Sequence, residues 1–213
     1  MFIADNLQVL AGEAPQSLTP PAEFMDALLS LRKVAIPTHL SLSEIPAPTK
    51  ITPFSAALYV QTPLEADDLP TASGRFIVLY EPQVNLEWGA KFRIIIQIRA
   101  EMDPAIGTDP LLGEVIWSWL HDALDQNTAD AHHLKGSVTR ELSETFGNLE
   151  LTRSDVEIEL KASWSTSSND LSYHLAAWLD VVNYAYAQQD PENPDPNFTD
   201  PDTFATGPSL YGF

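Results

Sequence analysis

The sequence predicts an α+β protein: a single antiparallel or mixed sheet of about five strands, with helices packed mainly on one face. Three observations carry this. Phe92, Ile94, Ile96, Ile98 and Ala100 alternate with Lys91, Arg93, Gln97 and Arg99, the period-two signature of a strand with one apolar and one cationic face. Just after it, Leu112, Val115, Ile116, Trp119 and Ala123 recur at helical spacing. The connections between strands are short, which favours antiparallel neighbours. The expected element order is α-β-β-β-α-β-β-α.

Residues 1–18 show no persuasive period and read as an N-terminal arm. A first helix opens at Pro20-Pro21, where Thr19 can cap it. Phe24, Ala27, Leu28, Leu31 and Ala35 form its apolar stripe, and Pro37 ends it. Between 37 and 53, Pro46, Pro48 and Pro53 forbid a helix, while Leu40, Leu42 and Ile45 need cover. This stretch is expected to run extended along the body or at a sheet edge. A Pro-x-Pro partner motif is the sharper reading of the same residues.

A strand is expected from Phe54 to Gln61, with Phe54, Ala56, Leu58 and Val60 on one face, then an acidic loop to Ser73. Gly74 to Glu81 forms the next strand. Phe76, Val78 and Tyr80 oppose Arg75, Ile77 and Leu79, so both faces are apolar enough for a central position. Pro82 to Gly89 has the length of a hairpin connection into the strand at 91–100. The second helix spans about 110–125, with Asp109 as N-cap and Pro110 at its first position. Residues 136–146 then form a strand with Val138, Leu142 and Phe146 on one face, and Gly147-Asn148 signals a turn. In the strand at 155–165, Val156, Ile158, Leu160, Ala162 and Trp164 point inward. Asp170 can cap a last helix whose stripe is Leu171, Leu175, Trp178, Leu179 and Val182. Residues 190–213 are rich in proline and acids without period and read as a tail, either disordered or loosely docked. The single domain is therefore 19–189.

The chain has 213 residues and a formal charge of −19. That excludes direct binding to a nucleic-acid backbone unless the few basic side chains gather in one place. The chain has no cysteine, hence neither disulfides nor thiolate metal sites. No apolar run is long enough to span a bilayer, and the first residues lack the pattern of a secretory signal. A cytoplasmic location is expected, with no membrane partner.

Catalysis and metal binding find little support. No nucleophile elbow, phosphate loop or dinucleotide glycine pattern is present. His132 and His133 are adjacent, so they do not share a face as metal ligands need to; His121, Asp122, His174 and Asp180 read as helix-surface residues. No catalytic residue, metal ligand or cofactor is assigned.

The arginines are the strongest remaining signal. Arg75, Arg93, Arg99 and Arg140 all fall on expected strands, where arginine is uncommon. The ordinary reading is cross-strand pairing with Glu141, Glu157 and Glu159. The functional reading is a carboxylate clamp. Arg93 and Arg99 lie about 20 Å apart along an extended strand, so an extended acidic peptide suits them better than one small anion. Trp117 points away from Trp119 and is either a lid on the core or an anchor in a protein interface. The expected function is a non-enzymatic binding or regulatory module with a protein partner or a second copy of itself. A small-ligand carrier or enzyme with a pocket between sheet and helices is the alternative.

Several stretches together are similar to an actinobacterial family known only as a domain of unknown function, number 3000. They include Leu42-Ser43-Glu44-Ile45-Pro46-Ala47-Pro48, Asp109-Pro110-Leu111-Leu112, Trp117-Ser118-Trp119-Leu120, Gly136-Ser137-Val138-Thr139-Arg140 and Ser143-Glu144-Thr145-Phe146-Gly147. Ile116 stands where that family typically has glycine, and the acidic tail departs from its pattern. The resemblance implies a cytoplasmic actinobacterial protein, encoded near an RNase D-like exoribonuclease gene and haem-synthesis genes. From this follows a further alternative, a regulator of an RNA-processing enzyme. It offers no catalytic residue to transfer.

Overall fold

The computed structural model describes residues 19–64 and 70–188; the expected arm at 1–18 and tail at 190–213 lie outside the described residues. One antiparallel sheet carries the fold. Its strands are β1 (Ser41–Glu44), β2 (Phe54–Gln61), β3 (Ala72–Asn85), β4 (Ala90–Met102), β5 (His132–Gly147) and β6 (Glu150–Thr166), in spatial order β1-β2-β3-β4-β6-β5. The helices are α1 (Ala22–Ser30), the single turn α2 (Pro104–Gly107), α3 (Leu112–Gln126) and α4 (Ser172–Ala187).

The α+β class and the single antiparallel sheet agree with the sequence; the count of about five strands and the expected order do not. The sixth strand is β1, in the stretch expected to run extended. It pairs with β2 from Ser41↔Gln61 to Glu44↔Leu58 and forms one margin of the sheet. The helix α2 is also new: Asp103 Oδ1 accepts the Ala105 N–H at 2.7 Å and Pro104 opens the turn.

All three helix starts differ from expectation. Asp109 Oδ1 accepts the Leu111 N–H at 2.8 Å, closing a tight turn, and α3 begins only at Leu112. Thr19 does not cap α1, whose N-cap is Pro21. Asp170 works one residue outside the N-cap Leu171, accepting from the Ser172 N–H and hydroxyl.

The core lies between the sheet and α1, α3 and α4. The even-numbered side chains of β3, β4 and β6 (Phe76, Val78 and Tyr80; Phe92 to Ile98; Val156 to Trp164) are buried there. Against them pack Phe24 and Leu28 of α1, Ile116 and Leu120 of α3, and Leu175, Trp178 and Val182 of α4. Four expected core positions fail. Ala35 lies beyond the first helix and is exposed, and Val115 faces solvent while Leu120 and Leu124 take its place. Leu142 and Phe146 are exposed: Leu142 lies on the outermost strand level with the last β4–β6 pair, Met102↔Val156, and Phe146 lies beyond it.

His174 is the largest surprise of the core. It is not on the surface but wholly buried, and Trp164 Nε1–H donates to its Nδ1 at 3.1 Å. Burial drops its pKa to about 4, although Asp130 and Asp170 pull it upward.

Candidate functional site

The face of the sheet opposite the helices holds three of the singled-out arginines, because odd-numbered residues of β3 and β4 point there. Register decides what each one meets. Arg99 lies opposite Glu159, and its Nε–H donates to Glu159 Oε1 at 2.9 Å. Lys161 donates to the other oxygen of Glu159 at 2.5 Å, and Gln97 also donates to this carboxylate. Lys161, then Gln97 and Arg99, hold Glu159 down to about 2. Arg99 therefore fulfils the ordinary cross-strand reading.

Arg93 does not. It lies opposite Ser165, only 6 % exposed, and its guanidinium donates to Ser165 Oγ at 3.0 Å and to Ser163 Oγ at 2.7 Å. No carboxylate touches it among the described residues, and burial lowers its pKa. Arg75, opposite Gln97, is exposed and makes no hydrogen bond or ion pair among the described residues. Four residues of strand separate the Arg75 level from Arg93, about 13 Å. Ile77 and Ile95, paired side by side and half-buried, fill the gap.

Beside Arg75 the connection after β1 folds over the sheet. The Ile45 N–H donates to Ala57 O at 3.1 Å, and Ser55 Oγ donates to Pro48 O at 2.9 Å. Between this proline-stiffened connection and the strands lies a groove of about 580 Å³, lined by Ile45, Pro46, Pro48, Ala57, Tyr59, Ile77 and Arg75. It is apolar except for the tyrosine hydroxyl and one guanidinium, a pattern suited to an apolar side chain next to a carboxylate.

Arg140 and Trp117 are elsewhere. Arg140 lies on the helix side of β5, and its guanidinium donates to Asp109 O at 2.6 Å and Gly107 O at 3.2 Å, tying the α2–α3 turn to the sheet. Trp117 packs half-buried over β5, where a Cβ on Gly136 would meet Trp117 Cζ3 at 2.7 Å and Lys161 O at 2.2 Å. The five singled-out residues thus split into an outer-face set (Arg75, Arg93, Arg99) and a β5 set (Arg140, Trp117). Sequence reasoning missed the Ser163–Ser165 pair and the groove. The alternation that points Val156 to Trp164 inward leaves Ser163 on the outer face, but only register could match it to Arg93.

The histidines assemble no ligand set. His132 contacts Asp130 at 2.7 Å, His133 Nδ1 lies 3.0 Å from Trp88 O, and no metal-holding cluster exists among the described residues. No helix among them is long and apolar enough to cross a membrane.

The model of a family described as "Protein of unknown function (DUF3000)" matches residues 20–193. The chain belongs to the DUF3000 family. The match takes in every strand and helix above, so the grooved outer face and the β5–β6 hairpin both lie within the DUF3000 region. No curated protein and no solved structure matches this DUF3000 chain.

Proposed function

We propose that this protein is a non-enzymatic binding module whose outer sheet face takes an extended acidic segment of a partner protein. The observation that carries the reading is Arg75: an exposed cation with no partner among the described residues, at the lip of an apolar groove, in a chain of charge −19. An acid on Arg75 and an apolar side chain over Ile77 and Ile95 would lead an extended segment toward Arg93. The strong overall negative charge repels acidic segments everywhere else, which confines binding to this face. The chain's own residues 190–213 carry the same acidic and aromatic chemistry and would compete for it. A ligand pocket between sheet and helices has less support, because Trp164, Trp178 and Phe76 fill that layer.

The test is fluorescence anisotropy of a dye-labelled, glutamate-rich peptide with interspersed phenylalanines. Arg75→Glu should weaken binding about tenfold, as removing and reversing an exposed charge contact does, and added salt should weaken it further. Arg32→Glu, in the short turn (Leu31–Lys33) that follows α1 on the helix side of the sheet, should leave it unchanged. Equal affinity for wild type and Arg75→Glu removes the proposal.

A further inference from the structure

The two margins of the sheet are built differently. The β1 margin is four residues long and runs into Pro46 and Pro48, so it offers little backbone to a new strand. The β5 margin is sixteen residues long, without proline, and exposed along nearly its whole length. Hydrogen-bond alternation fixes what it presents. Ala72 O accepts from Thr62 of the β2 side, and Thr71 O accepts from Glu101 of β4. Carried through the β4–β6 and β6–β5 registers, this turns the N–H and C=O of Val138, Arg140, Leu142, Glu144 and Phe146 away from β6. The bulge near the hairpin end adds its extra residue, Thr152, on β6, so the alternation on β5 is kept.

We propose that β5 is a homodimerisation strand, pairing antiparallel with β5 of a second copy about a two-fold axis at Leu142 and joining the two sheets into one. The inference does not depend on the outer-face reading. Self-complementarity selects the axis. At Leu142 the strand places Arg140 opposite Glu144 twice, Val138 opposite Phe146 twice, and Leu142 opposite itself. An axis at Arg140, Glu141 or Glu144 would instead oppose two like charges. An axis at Ser143 would set Leu142 against Glu144. The Leu142 register also covers two exposed apolar side chains, Leu142 at 52 % and Phe146 at 61 %, and pairs every outward backbone group from Val138 to Phe146. It brings the second copy's Phe146 beside Val138, next to the ring of Trp117 over Gly136. Of the two readings of Trp117, lid on the core or interface anchor, the anchor would then fall at this margin rather than on the arginine face.

Sedimentation equilibrium on the full chain should show a dimer. Glu144→Arg, which would face Arg140, should raise the dissociation constant about tenfold, and the charge-swapped Arg140→Glu/Glu144→Arg double variant should restore it. Because Arg140 also holds the α2–α3 turn, a second arm leaves it intact. The chain has no cysteine, and residues paired on the axis have Cα atoms about 5.5 Å apart, within disulfide reach. Leu142→Cys should therefore oxidise to a covalent dimer. Thr139→Cys, whose copy would sit about 20 Å away, should not. A chain that stays monomeric, or a dimer indifferent to Glu144→Arg and not trapped by Leu142→Cys, overturns the proposal. So does a monomer whose β5 captures an extended peptide instead.

Discussion

Protonation of His174 should be a main determinant of stability in mild acid. The imidazole is fully buried, and the Trp164 indole N–H can only donate, so Nδ1 must accept and the neutral ring carries its proton on Nε2. A second proton would charge a buried ring and set two N–H groups against each other. The folded-state pKa of about 4 compares with 6.5 for the free side chain. Between those values the unfolded chain binds a proton that the folded chain refuses, so this contribution is complete above pH 6.5 and is lost as pH falls toward 4. The slope is about 1.4 kcal/mol per pH unit, which amounts to roughly 2 kcal/mol by pH 5. Glu159 and Asp170, both held down to about 2, lose their contributions below their ordinary values of 4.5 and 3.8, so pH 5 lies above their window. Burial raises Asp180, which acts in the opposite sense, but it is common to wild type and variant. Urea unfolding followed by tryptophan fluorescence at pH 7, 6 and 5 measures the slope. His174→Gln keeps an acceptor for Trp164 and removes the titration, so its stability should be flatter by about 2 kcal/mol across that range. Parallel slopes for wild type and His174→Gln would mean that the buried ring is not what lowers stability in acid.

Two further outcomes test the β5–β6 hairpin. Asn148 and Leu149 form its turn with φ of 50° and 75°, and Leu149 is fully exposed, so its left-handed backbone is strained without compensating burial. Leu149→Gly should stabilise the hairpin by about 1 kcal/mol, read as slower amide exchange at the tip and a raised urea midpoint. Gly136→Ala should cost about 2 kcal/mol or more, because the added methyl meets both the Lys161 carbonyl and the Trp117 ring; a shift in tryptophan emission should accompany the loss.

Much of the fold is legible in the sequence because local pattern and tertiary role agree. Strands β2, β3, β4 and β6 keep period two through fully buried stretches, and the two-faced apolar pattern of β3 does place it between β2 and β4. The α4 stripe is buried as expected at Leu171, Leu175, Trp178, Leu179 and Val182. The errors arise where one pattern serves two environments. Leu142 and Phe146 alternate like core residues, yet they sit on the outermost strand, level with and beyond the last β4–β6 pair. His174 sits at a helical position that periodicity assigns as readily to solvent, and only the fold brings Trp164 against it. The arginine signal is legible as residue type but not as partner. Arg99 meets Glu159 and Arg93 meets two serines because the unbroken β4–β6 register sets Arg99 opposite Glu159 and Arg93 opposite Ser165.

Sequence alone carries the α+β class, the strands that build the sheet centre and the strong negative charge, and it singles out the arginines by residue type. Those properties are written in spacing of two and 3.6 residues and in side-chain chemistry, both of which are local. Only the fold reveals the strand order, which arginine lacks a partner among the described residues, the groove under Pro46 and Pro48, and which margin of the sheet is exposed among those residues. Each depends on register between segments distant in the chain, and register is fixed by packing, not by any one segment's own pattern.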